Sequence, residues 1–226
     1  MSEIIITEKA QELLNKPLKN GLYIVSTPIG NKLDITLHAL KIFQEAKFIL
    51  CEDTRKTNAL LQFHGISRKG LLICNEYADK GRLTHFVNLA RSNPVAITSD
   101  AGTPLVCDPG YELVQMCKKS NIEIFVIPGA CALIAGATYL GENIINTTFL
   151  GFYNKNSIKK IKNGEKFALF VAPQDIQKLA EDLKKTEQKW EIKIAQNITK
   201  EDEKSYIYNE ENSISSGEIL VLFQST

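Results

Sequence analysis

Apolar positions along the chain fall into short runs, each ended by a turn and followed by a stretch of helical spacing. GLYIVS (21–26) ends in TPIGN, after which Asp34 is placed to cap a helix that puts Leu37, Leu40 and Phe43 on one face. The pattern then repeats. KFILC (47–51) leads into EDTR and a helix closed by Gly65, and LLIC (71–74) leads into NEYAD and a helix through Leu83, Phe86, Val87 and Ala90. VAIT (95–98) runs into SDAGTPLVCDPG and a helix from about Tyr111 to Lys118, and IEIFVI (122–127) adds a fifth strand. Strands alternating with helices at this spacing predict a largely parallel sheet covered on both faces.

After Gly151 the pattern changes. KFALFV (166–171) and a helix over 174–185 still read as α/β, but WEIKIAQ (190–196), KSYIYN (204–209) and EILVLFQ (218–224) crowd together without a long helix between the last two. A second, smaller α/β domain with antiparallel pairing follows. The predicted boundaries are an N-terminal extension at 1–20, a first domain at 21–128 and a second at 129–226, with the joint in the region of 128–150.

Composition sets the outer limits. With 226 residues, 44% of them hydrophobic and 23% charged, the chain can bury the cores of two modest domains. A net charge of +1 gives no global polyelectrolyte signal, so contact with nucleic acid requires a local basic patch. The five cysteines (Cys51, Cys74, Cys107, Cys117, Cys131) form no CxxC or Cys/His cluster, which predicts no metal site and a reducing, cytoplasmic compartment. MSEIIITEKAQELL has early acids and no basic region before a sustained apolar core, against a secretory leader. Ile124–Gly141 is uncharged over nearly the length of a membrane span, but Pro128-Gly129 in its first third favours a strand followed by a buried helix.

In a parallel α/β sheet, ligands bind beyond the carboxyl ends of the strands. TPIGN, CEDTR, NEYAD, SDAGTP and IPGACA all belong to that edge. Each alone is ordinary turn and cap chemistry. Together they form a candidate site. No GxGxxG follows the first strand, which excludes a Rossmann dinucleotide loop there.

LYIVSTPIGNKLDIT, CEDTR, SDAGTPLVCDPGYELV, IPG and FLGF resemble the tetrapyrrole-methylase-type (class III) S-adenosylmethionine methyltransferases, and among them the ribosomal RNA small subunit methyltransferase I family. The resemblance covers about 21–152 strongly. It implies two α/β domains with S-adenosylmethionine in the cleft between them, a homodimer, and methylation of a cytidine 2′-hydroxyl in small-subunit ribosomal RNA. It places the cofactor against Pro28, Ile29, Asp100, Ala101, Gly102, Thr103, Ala130 and Cys131.

The residues bear a compatible chemical reading. A sulfonium cofactor needs close backbone approach, carbonyl acceptors and few positive neighbours, and SDAGTP offers Gly102 for approach, Pro104 for stiffness, and Asp100 and Thr103 as acceptors. Cys131 reads equally as a small buried residue at a helix start. For methyl transfer a ribose hydroxyl must lose its proton as the new bond forms. CEDTR supplies Glu52, Asp53 and Arg55, with Arg55 to grip a phosphate and a carboxylate to receive the proton, and Asn31 is a further catalytic candidate. The other reading makes Asp53 a helix cap and leaves Arg55 solvated. His38, His64 and His85 fall within or at the end of helices and receive no chemistry.

Departures from the resemblance are as plain as the matches. NEYAD puts Tyr77 where the family carries histidine, while keeping Glu76 and Asp79. VAPQDIQ replaces an ESPHR-like block. AQNITK keeps Thr199 and Lys200 but has Gln196 and Asn197 in place of an Arg-Glu pair. Two alternatives therefore stay open: a cofactor-binding RNA or ribosome module without turnover, and a class III methyltransferase acting on a tetrapyrrole or a protein side chain. The strip KNSIKKIKNGEK (155–166), five lysines against one glutamate just after Phe152 and Tyr153, reads either as a solvated loop or as the contact to RNA phosphates.

Overall fold

The computed structural model describes residues 7–67, 70–162, 164–186, 188–209 and 216–225. The first six residues of the leader reading, and Asn163 of the lysine strip, lie outside them. The chain divides into two compact units, one taking in the chain up to Pro28 together with Lys32–Ala130, the other Ile29–Asn31 together with the chain from Cys131 onward.

The first unit contains α1 (Glu8–Leu14), β1 (Gly21–Val25), α2 (Leu37–Glu45), β2 (Phe48–Cys51), α3 (Thr54–Phe63), β3 (Leu71–Ile73), α4 (Lys80–Ser92), β4 (Pro94–Thr98), α5 (Tyr111–Lys119) and β5 (Ile124–Ile127). Its strands form one sheet in the order β3-β2-β4-β1-β5, and every pairing is parallel. Alternation along β1 shows why both faces are covered: Leu22 and Ile24 enter a core with Leu83, Phe86 and Val87 of α4 and Leu113 of α5, whereas Tyr23 and Val25 enter one with Ile42 and Phe43 of α2 and Leu61 of α3. Lys41 is buried, and its ammonium is held by the carbonyls of Leu14 and Lys16 and by Glu45. That fastens the end of α1.

Two sequence expectations change here, and the strand-then-helix reading of Ile124–Gly141 holds. The N-cap of α2 is Thr36, whose hydroxyl accepts from Ala39 N–H, and not Asp34. The cap must adjoin the first helical turn, and Asp34 lies too early in the chain to reach it. The uncharged segment Ile124–Gly141 resolves into β5 and α6 (Ala132–Tyr139), and among the described residues no helix is long and apolar enough to cross a membrane. A strand absent from the sequence reading, β6 (Thr147–Phe152), opens the second sheet. Gly151, at φ +73°, and a register shift between Phe149 and Phe152 break its alternation.

The second unit continues with α7 (Lys155–Ile158), β7 (Lys166–Val171), a 3₁₀ turn (Pro173–Asp175), α8 (Ile176–Lys184), β8 (Trp190–Gln196), β9 (Lys204–Ile207) and β10 (Ile219–Ser225). The strand order is β6-β7-β10-β8-β9, parallel only between β6 and β7. Phe167, Leu169, Ile194, Val221 and Phe223 pack under Leu179 and Leu183 of α8, and Ala168, Ala195, Leu220 and Leu222 pack under Ala137 of α6. Both units are α/β, as the residue pattern implies.

Candidate active site at the carboxyl edge of the first sheet

All five strands of the first sheet run the same way, so the loops leaving β1, β2, β4 and β5 gather at one edge. Backbone bonds lock them together. Thr27 N–H donates to Gly102 O (2.9 Å) and Gly102 N–H donates back to Thr27 O (3.1 Å), which zips the first loop onto the fourth. Gly102 sits at φ +82°, a conformation that side chains disfavour, so SDAGTP requires glycine there. Thr103 Oγ1 donates to Ala130 O (2.9 Å) and accepts from Ser26 Oγ (3.1 Å), tying the fourth loop to the fifth and the first. Gly129 lies so close to the first loop that a Cβ on it would come within 2.8 Å of Ser26 Cβ.

The second loop joins the same cluster through acids. Asp100 accepts from Asp53 N–H (3.1 Å) and pairs with Lys56 Nζ (2.8 Å), and its own N–H donates to Glu52 (3.4 Å). The Asp100 and Thr103 side chains thus hold loops as well as standing at the edge. Asp53 caps α3 by accepting from Arg55 N–H (2.8 Å), and its carboxylate also grips the Arg55 guanidinium, with the shortest contact at 2.6 Å. The cap reading and the paired Asp53–Arg55 reading therefore both describe this loop. Arg55 holds the Asp53 carboxyl at about 2, well below the ordinary range. Glu52 is raised, first by burial and then by the neighbouring Asp100 charge.

Sequence reasoning passed over Asp108 at the far end of the same loop. Burial, with the charges of Glu52 and Asp100 adding, raises its carboxyl to about 6 despite a hydrogen bond from Ser99. The DPG turn was its only signal in the sequence. Its environment combines burial and the distant Glu52 with Ser99 and Asp100 of its own loop.

The remaining candidates divide between the units. Pro28, Asp100, Ala101, Gly102, Thr103, Ala130, Asp53 and Arg55 belong to the first, and Ile29, Asn31 and Cys131 to the second. Cys131 is the N-cap of α6 and makes no side-chain capping bond there. Asn31 N–H donates to Thr199 Oγ1 (3.0 Å). His38 lies within α2, His85 within α4 and His64 at the C-cap of α3. The described residues contain no group of acids, histidines and cysteines able to hold a metal ion, and all five cysteines are free thiols.

In the second unit the lysine strip is partly a helix. Lys155 opens α7, and Lys159, Lys160 and Lys162 are exposed beyond it. Lys155 and Lys159 line a groove of about 870 Å³ with Gln174, Gln177, Lys178 and Lys185. Lys166 leaves the strip, because it is paired with Glu142 at 2.6 Å and mostly buried.

Along residues 21–212 the chain matches the family model of the tetrapyrrole (corrin/porphyrin) methylases, which gives the class of protein. A relative from Hydrogenobaculum sp., named ribosomal RNA small subunit methyltransferase I, is 37% identical over 186 residues, covering 79% of this chain and 81% of its own length. One of the same name from Mycoplasmopsis pulmonis is 35% identical over 193 residues, covering 82% and 86%. The chain belongs to the ribosomal RNA small subunit methyltransferase I family of that class. The crystal structure of uroporphyrin-III-C-methyltransferase from Thermus thermophilus shares the fold, with a TM-score of 0.65 at 16% identity over 90% of this chain and 94% of that one.

Proposed function

We propose that this chain transfers the methyl group of S-adenosylmethionine to a cytidine 2′-hydroxyl of small-subunit ribosomal RNA. The observation that carries the proposal is the interlocked edge of β1, β4 and β5 in a chain of this family: Thr27 on Gly102, Thr103 on Ala130, and Gly129 against Ser26. Backbone pinned in this way can follow a ligand closely without reorganising. Its charge also fits. Glu52, Asp100 and Asp108 are grouped there, and a sulfonium cation favours carboxylates over cations.

S-adenosylmethionine, when bound, supplies a methyl group activated by the positive sulfur. Pro28, Asp100–Thr103 and Ala130 are the residues of the first unit that would hold it, and Ile29 and Cys131 those of the second. In this reading the first unit serves the acceptor and part of the cofactor, and the second supplies the remaining cofactor residues. Arg55, pinned by Asp53 and with its side chain 89% exposed, is placed to grip a phosphate of the acceptor. Asp53 holds that guanidinium and is a weak base at about 2, so Glu52, with its raised affinity for a proton, is the better acceptor for the hydroxyl proton. Asn31, in the second unit, is the further residue assigned to orienting the acceptor.

Lys155, Lys159, Lys160 and Lys162 make the phosphate contacts that select folded RNA, with assembled small subunit preferred over free RNA. The chain works as a homodimer in the cytoplasm, where its five free thiols stay reduced. Incubation with methyl-tritiated cofactor tests the proposal. Label should enter small-subunit RNA, and more of it in assembled subunits. Label in protein or in an added tetrapyrrole would redirect the reading to those acceptors, and cofactor binding with no label transferred would leave a binding module.

A further inference from the structure

The second unit contains a backbone conformation that its sequence does not favour. Thr199 sits at φ +65°, two residues after Asn197 at +53°. For a β-branched residue this is an outlier, and glycine or asparagine would adopt it with less strain. The surrounding turn holds it there. Thr199 N–H donates to Glu203 Oε2 (2.8 Å), and Lys200 N–H donates to Asn197 O (2.9 Å). The buried Asn197 amide donates to Asp202 (2.6 Å) and accepts from Glu218 N–H (3.1 Å), while Asn197 N–H donates to Glu218 O (2.9 Å).

What this turn presents is one hydroxyl. Thr199 Oγ1 accepts the N–H of Asn31, a residue 168 positions earlier in the chain (3.0 Å). The adjoining Gly30 approaches the turn so closely that a Cβ on it would stand 2.6 Å from Thr199 Oγ1, 2.8 Å from Ile198 O and 2.8 Å from Lys200 Cγ. Three consecutive residues of the turn thus press on one glycine, and Ile29–Asn31 belong to the second unit although the chain on either side belongs to the first. Glycine at position 199 would relieve the strain but supply no acceptor; threonine supplies it at the cost of the strain.

We propose that Thr199 is a positioning residue, clamping Gly30–Asn31 through its hydroxyl and thereby fixing Ile29 and Asn31 for methyl transfer. The clamp stands on its own geometry, and its catalytic consequence rests on the methyl-transfer reading given above. Serine keeps the oxygen, valine keeps the shape without it, and glycine removes both oxygen and strain.

The test compares wild type with Thr199→Ser, Thr199→Val, Thr199→Gly and Gly30→Ala in the full chain. Amide exchange at Asn31 is followed by NMR alongside cofactor calorimetry and steady-state transfer to small subunits. Exchange at Asn31 should rise about tenfold in the valine and glycine variants, the worth of one neutral hydrogen bond, and stay within about twofold of wild type in the serine variant. Transfer should follow the same order, with kcat lowered, the KM for cofactor raised and the KM for RNA unchanged. The glycine variant should melt no lower than wild type, which separates positioning from folding, and Gly30→Ala should behave like the valine variant. Unchanged Asn31 exchange in Thr199→Gly, or a serine variant as impaired as the valine variant, would overturn the clamp. A wild type that transfers no methyl group while Asn31 exchange still responds would instead overturn the proposed function and leave the clamp standing.

Discussion

Replacing Asp108 by asparagine tests the electrostatic picture of the candidate site, because it removes one charge with little change of shape. The Asp108 carboxyl is raised from 3.8 to about 6, by burial first and then by Glu52. The folded state therefore binds this proton more tightly than the unfolded chain does. Its stability is fullest below about pH 4, declines as pH rises toward 6, and beyond that carries a constant penalty for holding the ionised carboxylate. About two pH units at about 1.4 kcal/mol each set an upper bound of about 3 kcal/mol. Because Asp108 keeps some contact with solvent, about 1–2 kcal/mol is the expected size. Urea unfolding of wild type and Asp108→Asn at pH 4, 6 and 8, followed by circular dichroism, measures it. The two should nearly coincide at pH 4, and the variant should be more stable by about 1–2 kcal/mol at pH 8. A difference that is flat across this range, or a variant less stable at pH 8, would refute the reasoning that Asp108 is held as a strained acid beside Glu52.

Glu52→Gln and Arg55→Ala should each lower methyl transfer by at least about tenfold while leaving calorimetric cofactor affinity within a few fold, and Asp53→Asn, which keeps a capping oxygen, should lose transfer without the cost of about 1 kcal/mol that alanine would add at this N-cap. Normal turnover in all three would remove the CEDTR loop from the acceptor side. Gly102→Val should abolish cofactor binding in calorimetry, since a branched side chain at φ +82° would also break the Thr27–Gly102 pairing; undiminished binding would displace the site from SDAGTP. Changing Lys159, Lys160 and Lys162 together to glutamine should flatten the slope of log RNA affinity against log salt by roughly two to three units, with Lys166→Gln having little effect because Glu142 already occupies that lysine.

The parallel half of the fold was legible because its strands are short apolar runs each closed by a breaker, and GLYIV shows the alternation only as two buried faces. The edge was legible too, since Gly102 and the acids of CEDTR and SDAGTP lie where loops of such a sheet must gather. Strand β6 escaped notice because Gly151 and the register shift spoil its period. Asp34 and Thr36 are both good caps by type, and only the observed start of α2 decides between them. Lys166 looks like any other lysine of its strip until Glu142, 24 residues away, is brought beside it. Asp108 and Thr199 carry the same lesson. A raised carboxyl and a clamped amide depend on neighbours that local pattern does not reveal, although AQNITK did single out Thr199 as worth attention.

The account stands or falls on where the methyl group goes. Small subunits lacking this modification, incubated with the chain and S-adenosylmethionine, should yield RNA whose digest contains 2′-O-methylcytidine by mass spectrometry, at one nucleotide that resists alkaline cleavage on its 3′ side. Methylation on a base, or RNA of unchanged mass from a chain that binds the cofactor, would contradict it.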